Sequence, residues 1–476
     1  MLDKFIAFEE KSKAAHLSNA AIAAFKKNYD QLASGVTGLV SDADIDAVTE
    51  LPTLESLAMP QEGELQALLS QTAVLKLNGG LGTSMGLEKA KSLLVVKDGK
   101  TFLDLIAEQV KHMRTAFKSK VLFILMNSFS TSADTREFLA AAHADLLSEP
   151  HIELLQNMSP KVDAATLLPA SHPEQPDLEW CPPGHGDIYP SLLGSGMLQA
   201  LQEEGIKYLF VSNSDNLGAT LDTQLLAHFA ASKSAFLMEV RVCERTSADK
   251  KGGHLARRKS DGKLLLRESA MCPDADKKHF EDIALHRFFN TNNLWINLEQ
   301  LQTALTASGG ALDLPLIKNK KTVNPRDSSS TPVFQLETAM GSAIECFSNA
   351  GAVVVPRSRF APVKTCNDLF MLRSDVYKID HDATIVATIP VVPLIKLDDA
   401  HYKLVDQMEG LVQQPPSLRE ATSLTVKGAA KFDAAVTIVG DVFINAEGPN
   451  APYSVPAGTY SNTTLKLAAA PAAVPA

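Results

Sequence analysis

Short apolar runs recur along the chain, each long enough for one strand and none approaching the ~20 residues of a membrane helix. They read "AVLKL" (73–77), "SLLVV" (92–96), "KVLFILM" (120–126), "KYLFVSN" (207–213), "SAFLMEVRV" (234–242) and "GAVVVP" (351–356). A strand that is apolar throughout must be covered on both faces. Several intervening stretches carry helical spacing, so helices supply the cover. Phe102, Leu105, Ile106, Val110 and Met113 share one helix face, and Thr101 with Asp104 makes a capping-box pattern, which predicts a helix over 102–117. "SGMLQALQEEG" predicts another, closed by Gly205 just before the strand at 207. The expected fold class is α/β: a Rossmann-like, mostly parallel central sheet with sites beyond the carboxyl ends of its strands.

At 476 residues the chain exceeds one ordinary domain. Residues 1–70 read as a helical N-terminal region, with "AAIAAFKKNYDQLA" followed by breaks at Pro52 and Pro60. The α/β rhythm fills 71–385. Beyond it, "SLTVKGAAKF" and "VTIVGDVFINAEG" are short alternating β-branched runs, with Gly428 and Gly440 twelve residues apart. They predict a small all-β unit over 386–466, a sandwich or a β-helix-like solenoid, with the solenoid taken as the expectation. Residues 467–476, ending "AAAPAAVPA", read as a disordered tail.

The formal charge of −10 opposes a broad nucleic-acid or anionic-membrane surface while leaving room for a local cationic pocket. Five cysteines (181, 243, 272, 346, 366) are scattered without CxxC spacing and read as reduced thiols. With no signal-peptide apolar core at the start and no Ser-Lys-Leu end, the expected setting is cytoplasmic. Oligomeric state stays open between monomer and homo-oligomer.

The first strand runs into "LKLNGGLGTSMGLEKAKSLLVV". Gly79, Gly80, Gly82 and Gly86 are too many for one tight turn, and a backbone stripped of side chains suits phosphate held by amides. There is no G-x-x-x-x-G-K-[ST], and G-x-G-x-x-G also fails, so neither a Walker loop nor a nicotinamide-cofactor fingerprint is present. Lys89 and Lys91 follow. Lys89 reads as a solvated strand end; Lys91 leads into an apolar run that fixes its place.

Further candidates follow. "CPPGHGDIYPSLLGSG" (181–196) is a surface turn or a rigid wall for a base and a phosphate. Asp215, straight after the strand at 207–213, is an Asx turn or a Mg²⁺ carboxylate. On their residue types alone, Met126 reads as core and Gln156 as a surface amide. Asn290, Asn292 and Asn293 in "FNTNNLW" cap a strand end or read sugar hydroxyls. Gly252 and Gly253 allow a close approach. Lys364, near Arg357 and Arg359, is part of a solvated cluster or a held cation.

"LKLNGGLGTSMG" followed by "KS" closely resembles the nucleotide-binding loop of the UTP–glucose-1-phosphate uridylyltransferases. The resemblance continues in order through "PPGHGDIY", "VSNSDNLGAT", "KGGHL", "FFNTNNLWI", "QLETAMGSAI" and "RSRFAPVKTCNDL", across nearly the whole chain. One departure stands out: the family's commoner Gly-Pro-Lys is replaced here within "EKAKS", with the lysine kept at 91.

This resemblance implies a nucleotidyltransferase-type fold and the reaction of UTP with glucose-1-phosphate to UDP-glucose and pyrophosphate, with Mg²⁺. It implies that Leu77, Asn78, Gly79, Gly80, Gly82 and Thr83 meet the nucleotide. Met126, Gln156, Pro183 and Gly184 then border uracil, and His185 meets the phosphate–sugar junction. Asn213 and Ser214 lie near the sugar or phosphates, Asp215 holds the metal, and Gly253, Glu268, Asn290 and Asn292 take the glucose. Lys91 and Lys364 become the catalytic cations. A glutamine amide offers donor and acceptor to the N3–H/O4 edge of uracil, which cytosine reverses. A general base is not expected at His185, because a sugar phosphate with a second pKa near ~6 is already largely dianionic at neutral pH. Three alternatives stay open: a broad-specificity UDP-sugar pyrophosphorylase, a non-catalytic UDP-sugar-binding protein, and a scaffold built on a decayed enzyme core.

Overall fold

The computed structural model describes residues 2–242, 252–449 and 451–467. At its centre is a ten-stranded sheet. In chain order its strands are β1 (Ile45–Ala47), β2 (Thr72–Leu77), β3 (Leu122–Asn127), β4 (Glu153–Leu155), β5 (Tyr208–Asn213), β6 (Phe236–Val242), β7 (His254–Arg258), β8 (Leu264–Arg267), β9 (Phe288–Asn297) and β10 (Ala350–Val354). Five of the six apolar runs supply β2, β3, β5, β6 and β10. The run at 92–96 does not join them. Lys91–Leu93 is a 3₁₀ turn, and Val95–Lys97 folds back onto Lys100–Thr101 through Asp98 and Gly99, both at positive φ.

The sheet is mixed rather than mostly parallel. β5, β2, β3 and β4 lie side by side and parallel, and β6 is parallel to β10. β9, however, runs antiparallel between β5 and β6, while β1, β7 and β8 add antiparallel pairings at one end. β9 escapes the apolar-run criterion because its middle, "NTNN", is polar. Its inward-facing members, Thr291 and Asn293, are satisfied inside the sheet. Glu239 on β6 accepts from Asn293 Nδ2 at 3.0 Å and from Trp295 Nε1 at 3.0 Å, so a buried amide and indole carry no desolvation penalty left unmet.

Side chains alternate between two apolar layers, as the pleat requires. Ala73, Leu75, Leu209 and Val211 enter one layer with Ile188, Leu192, Leu198 and Leu201. Val74, Phe210, Leu237 and Trp295 enter the other with Leu225, Leu226 and Phe229. The helix Phe102–Ala116 starts at the expected capping box: Thr101 Oγ1 accepts the Asp104 N–H at 3.0 Å, and Asp104 Oδ2 accepts the Thr101 N–H at 2.9 Å.

The N-terminal helices Leu2–Ala14 and Asn19–Ala33 pack Phe5, Phe8, Phe25 and Tyr29 onto Val162, Leu316 and Leu336. Within 1–70 these segments and Glu62–Ser70 are helical, but β1 between them belongs to the central sheet. Beyond it, β11 (Leu394–Lys396), β12 (Ser417–Gly428), β13 (Val436–Ala446) and β14 (Gly458–Lys466) pair in that order, all parallel. Their inward residues, among them Leu424, Val426, Val442 and Ile444, share one apolar cluster with Phe102, Leu105 and Ile106. The N–H of Leu467 donates to Asn445 O at 2.8 Å, so ordered structure extends one residue into the expected tail. Residues 468–476 and Cys243 lie outside the described residues. Among the described residues no helix is long and apolar enough to cross a membrane.

Candidate active site

The parallel strands β5, β2, β3 and β4 end level with one another. Asn213 stands opposite Leu77, Leu77 opposite Met126, and Asn127 opposite Leu155. The loops that leave β2, β4 and β5 at this edge carry predicted site residues, as expected at carboxyl ends of parallel strands.

The glycine loop leaves β2. Gly82 and Gly86 need their residue type for conformation, with φ of 69° and 78°. At Gly82 a Cβ would also stand 3.2 Å from Lys91 Cγ, so the bare backbone makes room for the lysine stem. Gly79 lies close to Gln156, whose Oε1 would be 3.0 Å from a Cβ there, whereas Gly80 faces open space. Among the described residues the amides of Gly79, Gly80, Leu81 and Gly82 donate to no protein group, which suits an anion. Thr83 is exposed on the turn that follows. Asn78 sits beneath the loop: it is 2% exposed, and its Nδ2 donates to Asn127 Oδ1 and Thr135 Oγ1. Its side chain braces β2 against β3.

Asp215 follows β5 by two residues and gathers both predicted cations. Lys91 Nζ lies 2.8 Å and Lys364 Nζ 3.0 Å from its Oδ2. Lys91 also donates to Val363 O. Burial raises the Asp215 carboxyl, but Lys364 and Lys91 outweigh it and hold the group below the usual carboxylate range. Its other oxygen, Oδ1, is buried with no hydrogen-bond partner. Two ammonium groups on one carboxylate leave a net positive centre in an acidic protein. The lysine-bearing loop is pinned here: the Val363 N–H donates to Asp215 O at 3.1 Å, and the Ala361 N–H to Asn216 Oδ1 at 3.0 Å. Lys89 is exposed, the solvated role expected of it.

The loop 181–187 is packed against the Thr338 strand end rather than free at the surface. Thr338 N–H donates to Pro183 O and Gly186 N–H to Thr338 O. A Cβ on Gly184 (φ 80°) would lie 2.5 Å from Thr338 O, so only glycine fits. His185 Nδ1 accepts the Met340 N–H at 2.9 Å, which leaves the ring proton on Nε2 as a donor. Burial, with Lys364 nearby, pushes the His185 pKa down to about 4, so the ring is neutral at physiological pH. Across from it, Gln156 Nε2 donates to Gly184 O at 3.0 Å. Met126, which the resemblance puts beside uracil, is 2% exposed and lies inside an apolar layer at the end of β3.

Glu268, Gly253, Asn290 and Asn292 converge on the far side of β9. A Cβ on Gly253 would stand 2.5 Å from Glu268 Oε2. The Asn290 N–H donates to Gly253 O at 2.9 Å, and Asn290 Nδ2 to Asn292 Oδ1 at 2.8 Å. The β6–β9 register shifts between Glu239 and Val240, and Asn292 takes a φ of 58°, so the strand bulges where these amides sit. Burial raises the Glu268 carboxyl, offset in part by the Asn290 amide. Asn293 does not join this group but turns inward to Glu239.

Sequence reasoning missed three contributors. Arg359, read with Arg357 as a solvated cluster, is 6% exposed and grips Glu239 through two 2.8 Å contacts, while Arg357 alone is exposed. The lone acid in the apolar run "SAFLMEVRV" was the available signal, since a buried carboxylate demands a partner. Asp187 lies inside "PPGHGDIY" yet drew no attention; it is 4% exposed and accepts the Asn157 N–H at 2.7 Å. Leu404, far along the chain, packs on Gly86, and nothing local announces it.

The sequence profile of the UTP–glucose-1-phosphate uridylyltransferase family matches residues 22–439. The chain is 41% identical to the UTP–glucose-1-phosphate uridylyltransferase of Encephalitozoon cuniculi over 80% of its own length and 74% of that protein's. With that of Hordeum vulgare it shares 36% identity, over 92% and 91%. A mutant UDP-glucose pyrophosphorylase from Leishmania major, solved in complex with UDP-glucose, superimposes with a TM-score of 0.91 at 46% identity, covering 98% of this chain and 99% of that one.

Proposed function

The chain belongs to the UTP–glucose-1-phosphate uridylyltransferase family and makes UDP-glucose and pyrophosphate from UTP and glucose-1-phosphate; we propose that the cleft at the carboxyl ends of β2 and β5 carries this reaction. The observation that supports this reading most directly is the convergence of Lys91 and Lys364 on Asp215, facing a loop with undonated amides.

In this reading the sugar phosphate oxygen attacks the α-phosphorus in line, and pyrophosphate leaves. Two polyanions must be brought together, so positioning and fixed positive charge dominate. The amides of Gly79, Gly80 and Gly82 cradle the triphosphate beside Leu77 and Thr83, with Asn78 holding the loop up from below. Lys91 and Lys364 balance the charge that grows on the leaving group. His185 donates from Nε2 to a phosphate oxygen and takes no proton, since its Nδ1 is already engaged. Gln156, between the glycine loop and Gly184, reads the base along the wall that includes Pro183. Glu268, Asn290 and Asn292, with Gly253 beside them, hold the glucose hydroxyls. Asn213 and Ser214 lead the strand end to Asp215.

Asp215 Oδ1, buried and unpartnered, fits one ligand position of Mg²⁺. When bound, the ion supplies charge neutralisation at the phosphate oxygens.

The proposal divides the chain into a helical N-terminal region, a catalytic unit over 71–385 and a C-terminal unit over 386–466. The parallel order β11-β12-β13-β14 supports reading the last as coils of a β-solenoid. A cytoplasmic setting is supported by the free thiols of Cys181, Cys272, Cys346 and Cys366. The decisive assay follows pyrophosphate release from UTP with glucose-1-phosphate, galactose-1-phosphate and an N-acetylated sugar phosphate in parallel. Release with glucose-1-phosphate alone is expected. Comparable rates with all three would mark a broad-specificity enzyme, and binding of UDP-glucose without release a sensor.

A further inference from the structure

We propose that Asp187 is a positioning residue that sets uracil over cytosine by locking the side-chain amide of Gln156 in one orientation. The inference rests on the reading of Gln156 as the base-contacting residue.

Four residues from two loops close a ring. Gly184 O accepts from Gln156 Nε2 at 3.0 Å and from the Asp187 N–H at 3.2 Å. Asp187 Oδ2 in turn accepts the backbone N–H of Asn157, the residue next to Gln156, at 2.7 Å. The Asn157 side chain donates to both carboxylate oxygens, at 3.1 and 3.2 Å, and Ser191 Oγ donates to Oδ2 at 2.7 Å. The Gln156 N–H is held as well, by Asn127 O at 2.7 Å. All of these bonds run between protein groups. Together they fix the spacing between the strand end that carries Gln156 and the wall that carries Gly184.

The consequence is chemical. An amide can flip, exchanging its NH₂ and carbonyl ends, and a flipped glutamine reads cytosine as well as the unflipped one reads uracil. Here a flip would set Gln156 Oε1 against Gly184 O, two acceptors face to face. While the spacing is held, the carbonyl of Gly184 permits one orientation: Oε1 free to accept from N3–H, and the second Nε2 hydrogen free for O4. Cytosine then meets donor against donor and acceptor against acceptor, and a site with fixed polar groups rejects such a mismatch strongly. Loosening the latch lets the amide swing clear and turn over.

The experiment compares kcat/KM for UTP and CTP in the wild type, Asp187→Asn and Asp187→Ala, with calorimetric binding of each nucleotide beside it and circular dichroism to confirm folding. Asp187→Ala is expected to lower the UTP/CTP ratio at least ~10-fold, the effect of losing a charge-assisted hydrogen bond, while kcat with UTP stays within a few-fold. Asp187→Asn keeps one carbonyl acceptor and should fall between the two. If Asp187→Ala does not fold, Asp187→Asn alone decides. An unchanged ratio in a folded variant overturns the inference. Wild type that neither binds nor turns over UTP overturns the functional reading instead, so the two failures are distinct.

Discussion

Replacing Lys364 by alanine separates catalysis from folding. Its ammonium group stands 3.0 Å from Asp215 Oδ2, yet the side chain is 56% exposed, whereas Lys91 beside it is 13% exposed. Two unit charges ~4 Å apart at an effective dielectric of ~20 interact by ~4 kcal/mol. Exposure reduces that, and burial of the ammonium group against bound substrate restores part of it, so ~3–4 kcal/mol of transition-state stabilisation follows. Turnover of Lys364→Ala should therefore fall ~10²–10³-fold. Stability should change by no more than ~1 kcal/mol, because Asp215 keeps Lys91 and the lost contact is largely solvated. Lys91→Ala must do both: it removes an equal charge and also strands Val363 O and leaves the buried Asp215 carboxylate with only the exposed Lys364, costing ~1–3 kcal/mol of folding free energy. The assay is steady-state pyrophosphate release at saturating UTP and glucose-1-phosphate, with urea melts of the same samples. An unchanged kcat in Lys364→Ala, or a drop that simply tracks its loss of stability, would refute the assignment.

Gly253→Ala should raise KM for glucose-1-phosphate ~10–10²-fold and leave KM for UTP alone, since the new methyl group would stand 2.5 Å from Glu268 Oε2 and displace the carboxylate; equal effects on both substrates would count against a sugar role for Glu268. Glu239→Ala strands the buried Arg359 guanidinium and should lower the urea-derived stability by ~3–5 kcal/mol, whereas a loss below ~1 kcal/mol would contradict the ion pair's role in holding the 357–364 loop. His254, buried between Phe280 and His286, has its pKa pushed down to about 3 by burial first and then by its charged neighbours. The unfolded chain therefore takes up the proton first: the stability from this group is full above ~6.5 and is lost as pH falls toward about 3, at ~1.4 kcal/mol per pH unit. His254→Phe should flatten the stability–pH slope between pH 6 and 4 by one proton, and parallel slopes would exclude it.

Much of the fold was legible because its signals are local. β2, β3 and β5 are apolar runs, and the helix at 102–116 carries its own cap. β9 was not, because its polar centre is satisfied by Glu239, some fifty residues earlier in the chain, and no periodicity encodes a partner. The same absence turned a parallel expectation into a mixed sheet. At the site, the strand-end carboxylate and the glycine loop stood out by residue type, and resemblance supplied the sugar residues. Side-chain direction stayed hidden: Asn78, expected at the nucleotide, points below its loop, and Arg359, read as solvated, points into the sheet.

The contact between Leu404 and the αL turn at Gly86 joins two distant stretches of chain. A Cβ at Gly86 would stand 3.1 Å from Leu404 Cδ2, so the terminal third of the polypeptide forms part of the mould in which the glycine-rich ribbon is cast. A fragment cut before Leu404 would keep every reactive group yet lose that mould. Grafting a different ending onto this catalytic half would retune it, even though no transplanted atom touched a nucleotide.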